Sequence, residues 1–165
     1  MPTPLSRRRF LAAAATVSVL PRHLFAQAGR PGANGRLNIA GIGVGGMGKS
    51  NLNQIANAGH TIAALCDVDS AYAAPVAAKY PQAAFFTDYR ELLAQQKDLD
   101  GVMIATPDHT HALIAAAAIR AGKHVFVQKP LCHDVFECRE LARLAREKGL
   151  VTQMGIQGHA SPGFY

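Results

Sequence analysis

Residues 37–48 read Leu37-Asn38-Ile39-Ala40-Gly41-Ile42-Gly43-Val44-Gly45-Gly46-Met47-Gly48 and run on into Lys49-Ser50-Asn51-Leu52. The first half is apolar and suits a strand. The second half holds four glycines in six residues and leads into residues able to start a helix. Strand, tight turn and helix start form the context in which G-x-G-x-x-G binds a dinucleotide. Two registers satisfy the pattern, Gly41/Gly43/Gly46 and Gly43/Gly45/Gly48. The second leaves Leu37 to Ile42 as an uninterrupted strand and puts the last glycine where the helix must pack against it. Gly43 then allows the sharp turn and Gly45 lets backbone N–H groups approach a pyrophosphate. The helix N-terminus adds partial positive charge.

The next apolar run, Thr61-Ile62-Ala63-Ala64-Leu65-Cys66, ends at Asp67, 19 residues after Gly48. An acid at this spacing, at the tip of a second strand, accepts hydrogen bonds from the adenosine ribose hydroxyls. Its charge repels a 2′-phosphate, so the pattern favours NAD over NADP. An aspartate at a strand end otherwise serves as a helix cap, and it is the glycine turn at the right distance that gives Asp67 a second meaning.

Working outward, strand-like and helix-like segments alternate. A helix is expected to about Ala58 with Gly59 as its stop, then the strand before Asp67. A second helix is expected around Ala71 to Tyr80, its start irregular or delayed to Pro75. Ala83 to Thr87 reads as a third strand, and Asp88 with Glu91 as a capping box. Asp100 to Ala105 reads as a fourth strand, apolar throughout as a strand covered on both faces should be. A helix from about His111 to Ala121 stops at Gly122. Val125 to Val127 is the fifth strand, and Asp134 with Glu137 repeats the capping box. Leu141, Leu144 and Ala145 stripe a helix that ends at Gly149, and Leu150 to Met154 is the sixth strand. This alternation predicts an α/β fold, a doubly wound parallel sheet with right-handed crossovers.

The first 28 residues stand apart. Ser6-Arg7-Arg8-Arg9-Phe10-Leu11 is a twin-arginine export pattern, followed by an apolar run to Leu20 and by Ala26-Gln27-Ala28 as a cleavage site. The pattern predicts passage through the twin-arginine export machinery and a periplasmic or extracellular location. Residues 29–36, rich in Gly, Pro and Asn, read as a linker into residues 37–155. The leader also carries most of the charge. The chain has 17 basic and 11 acidic residues, and four of the arginines lie in the leader, which leaves 13 against 11 beyond it. No basic stripe with interleaved aromatics argues for nucleic acid. Cys66, Cys132 and Cys138 show no C-x-x-C spacing, and His109 and His111 lack a third partner nearby, so no metal site is expected.

Four stations occur in order along the chain: the Gly43/Gly45/Gly48 turn, Asp67, Thr106-Pro107 with His111, and Lys129-Pro130. Together they resemble the N-terminal domain of the Gfo/Idh/MocA oxidoreductases, a match that extends from Leu37 to about Ser161. The resemblance implies a Rossmann domain that binds NAD through Gly43, Gly45, Gly46, Met47, Gly48, Asp67, Thr106, Pro107, His111, Gln128 and Lys129. Thr106-Pro107 would lie beside the nicotinamide. Lys129 would be the catalytic residue, hydrogen-bonded to a substrate hydroxyl or carbonyl. Gln128 stands where the family's motif has glutamate, so a carboxylate that would tune Lys129 is replaced by a neutral amide. The implied chemistry is oxidation of a secondary alcohol on a sugar, cyclitol or glycoside, with NAD-dependent glycoside hydrolysis as the alternative. Family members are usually homo-oligomers, and their C-terminal α/β domain supplies most of the substrate pocket. Residues 156–165 are expected to be the start of that domain, with His159 at the junction. On this reading the chain carries the cofactor half and is inactive alone, or is a non-catalytic dinucleotide-binding fragment.

Overall fold

The computed structural model describes residues 35–156 and 158, all but Gly35 within a unit running from Arg36 onward. The segment expected to be an export signal, most of the expected linker, Gln157 and residues 159–165 (His159 among them) lie outside the described residues. Six parallel strands form one sheet: β1 (Asn38–Ile42), β2 (Thr61–Cys66), β3 (Ala84–Phe86), β4 (Gly101–Ile104), β5 (His124–Gln128) and β6 (Thr152–Gly155). Their order across the sheet is β3-β2-β1-β4-β5-β6, so the direction of winding reverses between β1 and β4. The expected doubly wound Rossmann fold is the one observed.

Five helices cover the sheet: α1 (Gly46–Asn57), α2 (Ser70–Lys79), α3 (Tyr89–Gln95), α4 (His111–Arg120) and α5 (Val135–Lys148). Leu52 of α1 with Ala73 and Val76 of α2 pack on Ile62, Leu65 and Met103. On the opposite face Leu92 and Leu93 of α3, Ile114 and Ile119 of α4, and Leu141 and Leu144 of α5 pack on Ile42, Ala64, Ile104, Val125 and Val127. The four residues of β4 are buried throughout, as a central strand covered on both faces requires. Each fully buried Leu or Ile contributes roughly 1.5–3 kcal/mol, so this two-sided burial dominates the stability of the domain.

Local signals set the boundaries. Gly59, Gly122 and Gly149 follow α1, α4 and α5 with positive φ. The second helix differs from expectation. It begins at Ser70, before Pro75, because the carboxylate of Asp69 accepts the Tyr72 N–H at 2.8 Å and fixes the first turn. Pro75 then sits inside the helix and removes one backbone donor. Ala71, whose carbonyl loses that donor, is exposed, so the site lies where solvent can reach it. Asp88 caps α3 through the Arg90 N–H at 2.8 Å and pairs with the Arg90 guanidinium at 2.6 Å, in place of a closed box with Glu91. At α5, Asp134 accepts the Glu137 N–H at 2.9 Å, and Glu137 reaches back to the His133 N–H at 2.8 Å.

Candidate cofactor site

The strand order brings the four stations to one edge. Gly43 follows β1, Asp67 follows β2, Thr106 lies just past β4, and Lys129 follows β5. Backbone bonds lock these ends side by side: Gly43 N–H to Cys66 O at 2.8 Å, Asp67 N–H to Phe86 O at 3.1 Å, and Ala105 N–H to Ile42 O at 2.9 Å. With neighbouring strands ~4.8 Å apart, the line from Asp67 to Lys129 crosses three spacings, or about 14 Å. An extended ligand can lie along it at the carboxyl ends of the strands, where open α/β sheets bind.

The glycine turn is shaped by close approach. Gly43 has φ +77°, and a Cβ there would stand 2.7 Å from the backbone of Ala105 and Thr106. A Cβ on Gly48 would strike the carbonyl oxygen of Gly43, so the last glycine lets the first turn of α1 rest against the end of β1. That is the packing role expected of the register Gly43/Gly45/Gly48. Gly45 is the N-cap of α1, without a side-chain cap and without an acidic residue in the first turn. The helices α2, α3 and α5 are each capped by an aspartate. The first N–H groups of α1 are thus left for an anion of another kind.

Asp67 is built into the same turn. Its Oδ2 accepts the Val44 N–H at 2.9 Å and its Oδ1 accepts the Asp69 N–H at 3.1 Å. Each oxygen has two lone pairs, so capacity for ribose hydroxyls is retained. A cavity of about 650 Å³ opens over the turn, within the usual range for small-molecule sites. Gly43, Gly45, Gly46, Met47, Asp67, Thr106 and Pro107 line it, so seven of the expected contacts share one wall.

The other expected residues stand elsewhere. Gly48 is beneath the turn. Gln128 is buried at the end of β5 with its Oε1 3.3 Å from the Lys129 N–H, and Lys129 is exposed beside it, joined to Pro130 by a cis peptide bond. Neither borders the cavity. His111, expected at the cofactor, is 1% exposed and turned away from it. Its Nδ1 lies 2.7 Å from Pro130 O and its Nε2 lies 2.8 Å from Thr106 O. The imidazole bridges the segment after β4 and the segment after β5, a neutral ring donating to one of the two carbonyls, and it stands off the cavity rather than in the direct contact expected.

Sequence reading missed Val68, Tyr72, Tyr89 and Leu113, which also line the cavity. Val68 is 89% exposed, and Met47, Tyr72 and Leu113 are exposed as well. Exposed apolar side chains gathered around one cleft mark a binding surface. Val68, next to the acid, was within reach of sequence reasoning. Leu113 reaches the cavity from α4 and was not.

Residues 37–156 match the oxidoreductase family described as having an NAD-binding Rossmann fold. The chain belongs to that family. It is 30% identical over 127 residues to inositol 2-dehydrogenase of Salmonella typhimurium, covering 74% of this chain and 38% of that protein. It is 37% identical over 115 residues to the α-N-acetylgalactosaminidase of Shewanella oneidensis, covering 64% of this chain and 25% of the relative. The crystal structure of GenD2 from gentamicin A biosynthesis, in complex with NAD, superimposes with TM-score 0.71 at 33% identity over 77% of this chain and 36% of its own. The chain therefore spans well under half the length of these relatives. The uncapped α1, the glycines that a Cβ would obstruct and the cavity beside Asp67 fit the dinucleotide that this family binds.

Proposed function

We propose that the chain is the cofactor-binding part of an exported NAD-dependent oxidoreductase acting on a secondary alcohol of a sugar, cyclitol or glycoside. The observation that carries the reading is the single cavity in which an uncapped helix start, the Asp67 carboxylate and Thr106-Pro107 meet. Bound NAD would supply the hydride acceptor. The turn from Gly43 to Gly48 would offer backbone N–H groups to the pyrophosphate. Asp67 would accept the ribose hydroxyls and disfavour a 2′-phosphate. Thr106 and Pro107 would flank the nicotinamide. Lys129, one strand further on, would present its Nζ to the substrate oxygen and stabilise charge there. Gln128, neutral beside it, leaves that ammonium without a tuning carboxylate.

The test begins with calorimetric titration of the chain by NAD and NADP. Tighter binding of NAD supports the reading, and equal affinity overturns the role given to Asp67. The likeness to an α-N-acetylgalactosaminidase favours a second reading, hydrolysis with transient oxidation. In a longer enzyme containing this domain, net gain of NADH absorbance on sugar turnover supports dehydrogenation. Glycosidic cleavage with flat absorbance supports hydrolysis. NAD binding with no turnover would make it a non-catalytic domain. Export rests on the twin arginines. Replacing Arg7 and Arg8 by lysine should retain the protein in the cytoplasm of an expressing bacterium, and unchanged fractionation would overturn that assignment.

A further inference from the structure

Tyr72 belongs to the first turn of α2, yet its ring lies over the glycine turn of α1. A Cβ built on Gly45 would collide with the ring, meeting Cδ1 at 2.6 Å and Cζ at 2.8 Å, with Cε1 closer still. Its hydroxyl lies 3.8 Å from where a Cβ on Gly46 would stand. The ring's position is relayed from the ribose acid. Asp67 Oδ1 accepts the Asp69 N–H at 3.1 Å, and Asp69 Oδ1 accepts the Tyr72 N–H at 2.8 Å. Tyr72 is nevertheless 59% exposed and borders the cavity. Among the described residues its hydroxyl has no hydrogen-bond partner.

An aromatic ring half in water, held against the uncapped start of a helix, has a donor to spare where backbone donors already converge. We propose that Tyr72 is a diphosphate-contact residue, its ring walling the pyrophosphate turn and its hydroxyl donating to a phosphate oxygen. The inference rests on the cofactor assignment above and deepens it. A hydroxyl bonded to an anionic oxygen is among the stronger protein hydrogen bonds, whereas a tyrosine that merely covers the turn loses nothing when its hydroxyl is removed. Gly45 then has two reasons to be glycine, the ligand's approach and the ring beside it.

The experiment compares the 165-residue chain with Tyr72→Phe, using NAD, ADP and adenosine as probes in calorimetric titrations, with thermal melts as a folding control. Tyr72→Phe should weaken NAD and ADP by roughly 10-fold or more and leave adenosine unchanged. Unchanged NAD and ADP affinity would overturn the proposal. So would an equal loss for adenosine, which would place the hydroxyl at the nucleoside. If the unaltered chain binds none of the three, the cofactor assignment itself fails, a result separate from either of these. A second arm tests the ring contact. Gly45→Ala should melt well below the unaltered chain, and adding Tyr72→Ala should restore most of that loss. No restoration would remove the ring from the account of Gly45.

Discussion

Asp67 Oδ2 accepts the Val44 N–H at 2.9 Å, so the acid at the tip of β2 holds the glycine turn that follows β1. One carboxylate thereby shapes the glycine turn and, on the proposed assignment, would also accept the ribose hydroxyls beside it. Asp67→Ala should weaken NAD by roughly 10- to 100-fold, the range for hydrogen bonds to a charged group. It should also narrow the preference over NADP. Asp67→Asn retains one acceptor oxygen and should fall between. Titrations with both cofactors read the outcome, and an alanine variant with undiminished NAD affinity would exclude the acid from the site.

Gly48 and Gly122 make a contrast in why a glycine is needed. A side chain on Gly48 meets the carbonyl of Gly43, whereas one on Gly122 meets open space but must adopt φ +79°. Gly122→Ala should cost about 1–2 kcal/mol, the penalty for a left-handed residue. Gly48→Ala should cost more, because backbone rather than a flexible side chain has to move. Urea denaturation of both variants checks the order. A Gly48→Ala protein as stable as Gly122→Ala would mean that α1 shifts freely against β1.

His111 spans Pro130 O and Thr106 O from a buried position. A neutral ring donates one N–H, so removing it takes the donor from one of these carbonyls, at about 1–3 kcal/mol, and leaves a cavity where the buried ring stood. His111→Ala should therefore destabilise the fold by a few kcal/mol in denaturant titrations. Hydrogen exchange should increase around Thr106 and Lys129 more than around Asp67. Uniform protection, or unchanged stability, would reduce the clasp to a chance contact.

The thiols set an alkaline limit. Burial pushes the Cys66 thiol up to about 12, with the Asp67 and Asp88 carboxylates adding to the shift. Burial, with the Cys132 S–H donating to Cys138, does the same for Cys132. A raised folded value means that the unfolded thiols release protons that the folded ones keep. Stability should thus be untouched by these groups below about pH 9 and fall as pH rises from there toward 12. Alkylation of Cys66 by iodoacetamide at pH 8 should be slow until denaturant is added. Rapid labelling of the folded chain at Cys66 would show the strand end to be open.

In a longer enzyme containing this domain, Lys129→Ala should lower the chemical rate by roughly two to four orders of magnitude, the range for a positioned proton-transfer group. NAD affinity should change far less, since neither Lys129 nor Gln128 borders the cavity. Single-turnover rates beside cofactor titrations separate the two. Normal turnover would leave Lys129 an ordinary exposed lysine.

Much of this protein was legible in the order of its residues. Apolar runs of strand length between capped helical segments determine an alternating α/β chain. The spacing from Gly43 to Asp67 determines which strand ends must meet, because both are local patterns with a fixed geometric meaning. Even the role of Gly48 followed from its place in the first turn of a helix that must pack on the strand before it. The start of α2 was misjudged because Pro75 is a strong local signal and the Asp69 cap a quieter one that prevails. The fate of side chains at the site was another matter. His111 stands five residues after Thr106, yet its ring meets Pro130 O, 19 residues further along, once β4 and β5 lie side by side. Tyr72 reaches Gly45 only because α1 and α2 pack on the same face of the sheet. Sequence spacing orders the backbone through local hydrogen bonding and burial. Which side chain fills the space between two elements depends on contacts that exist only after those elements have packed.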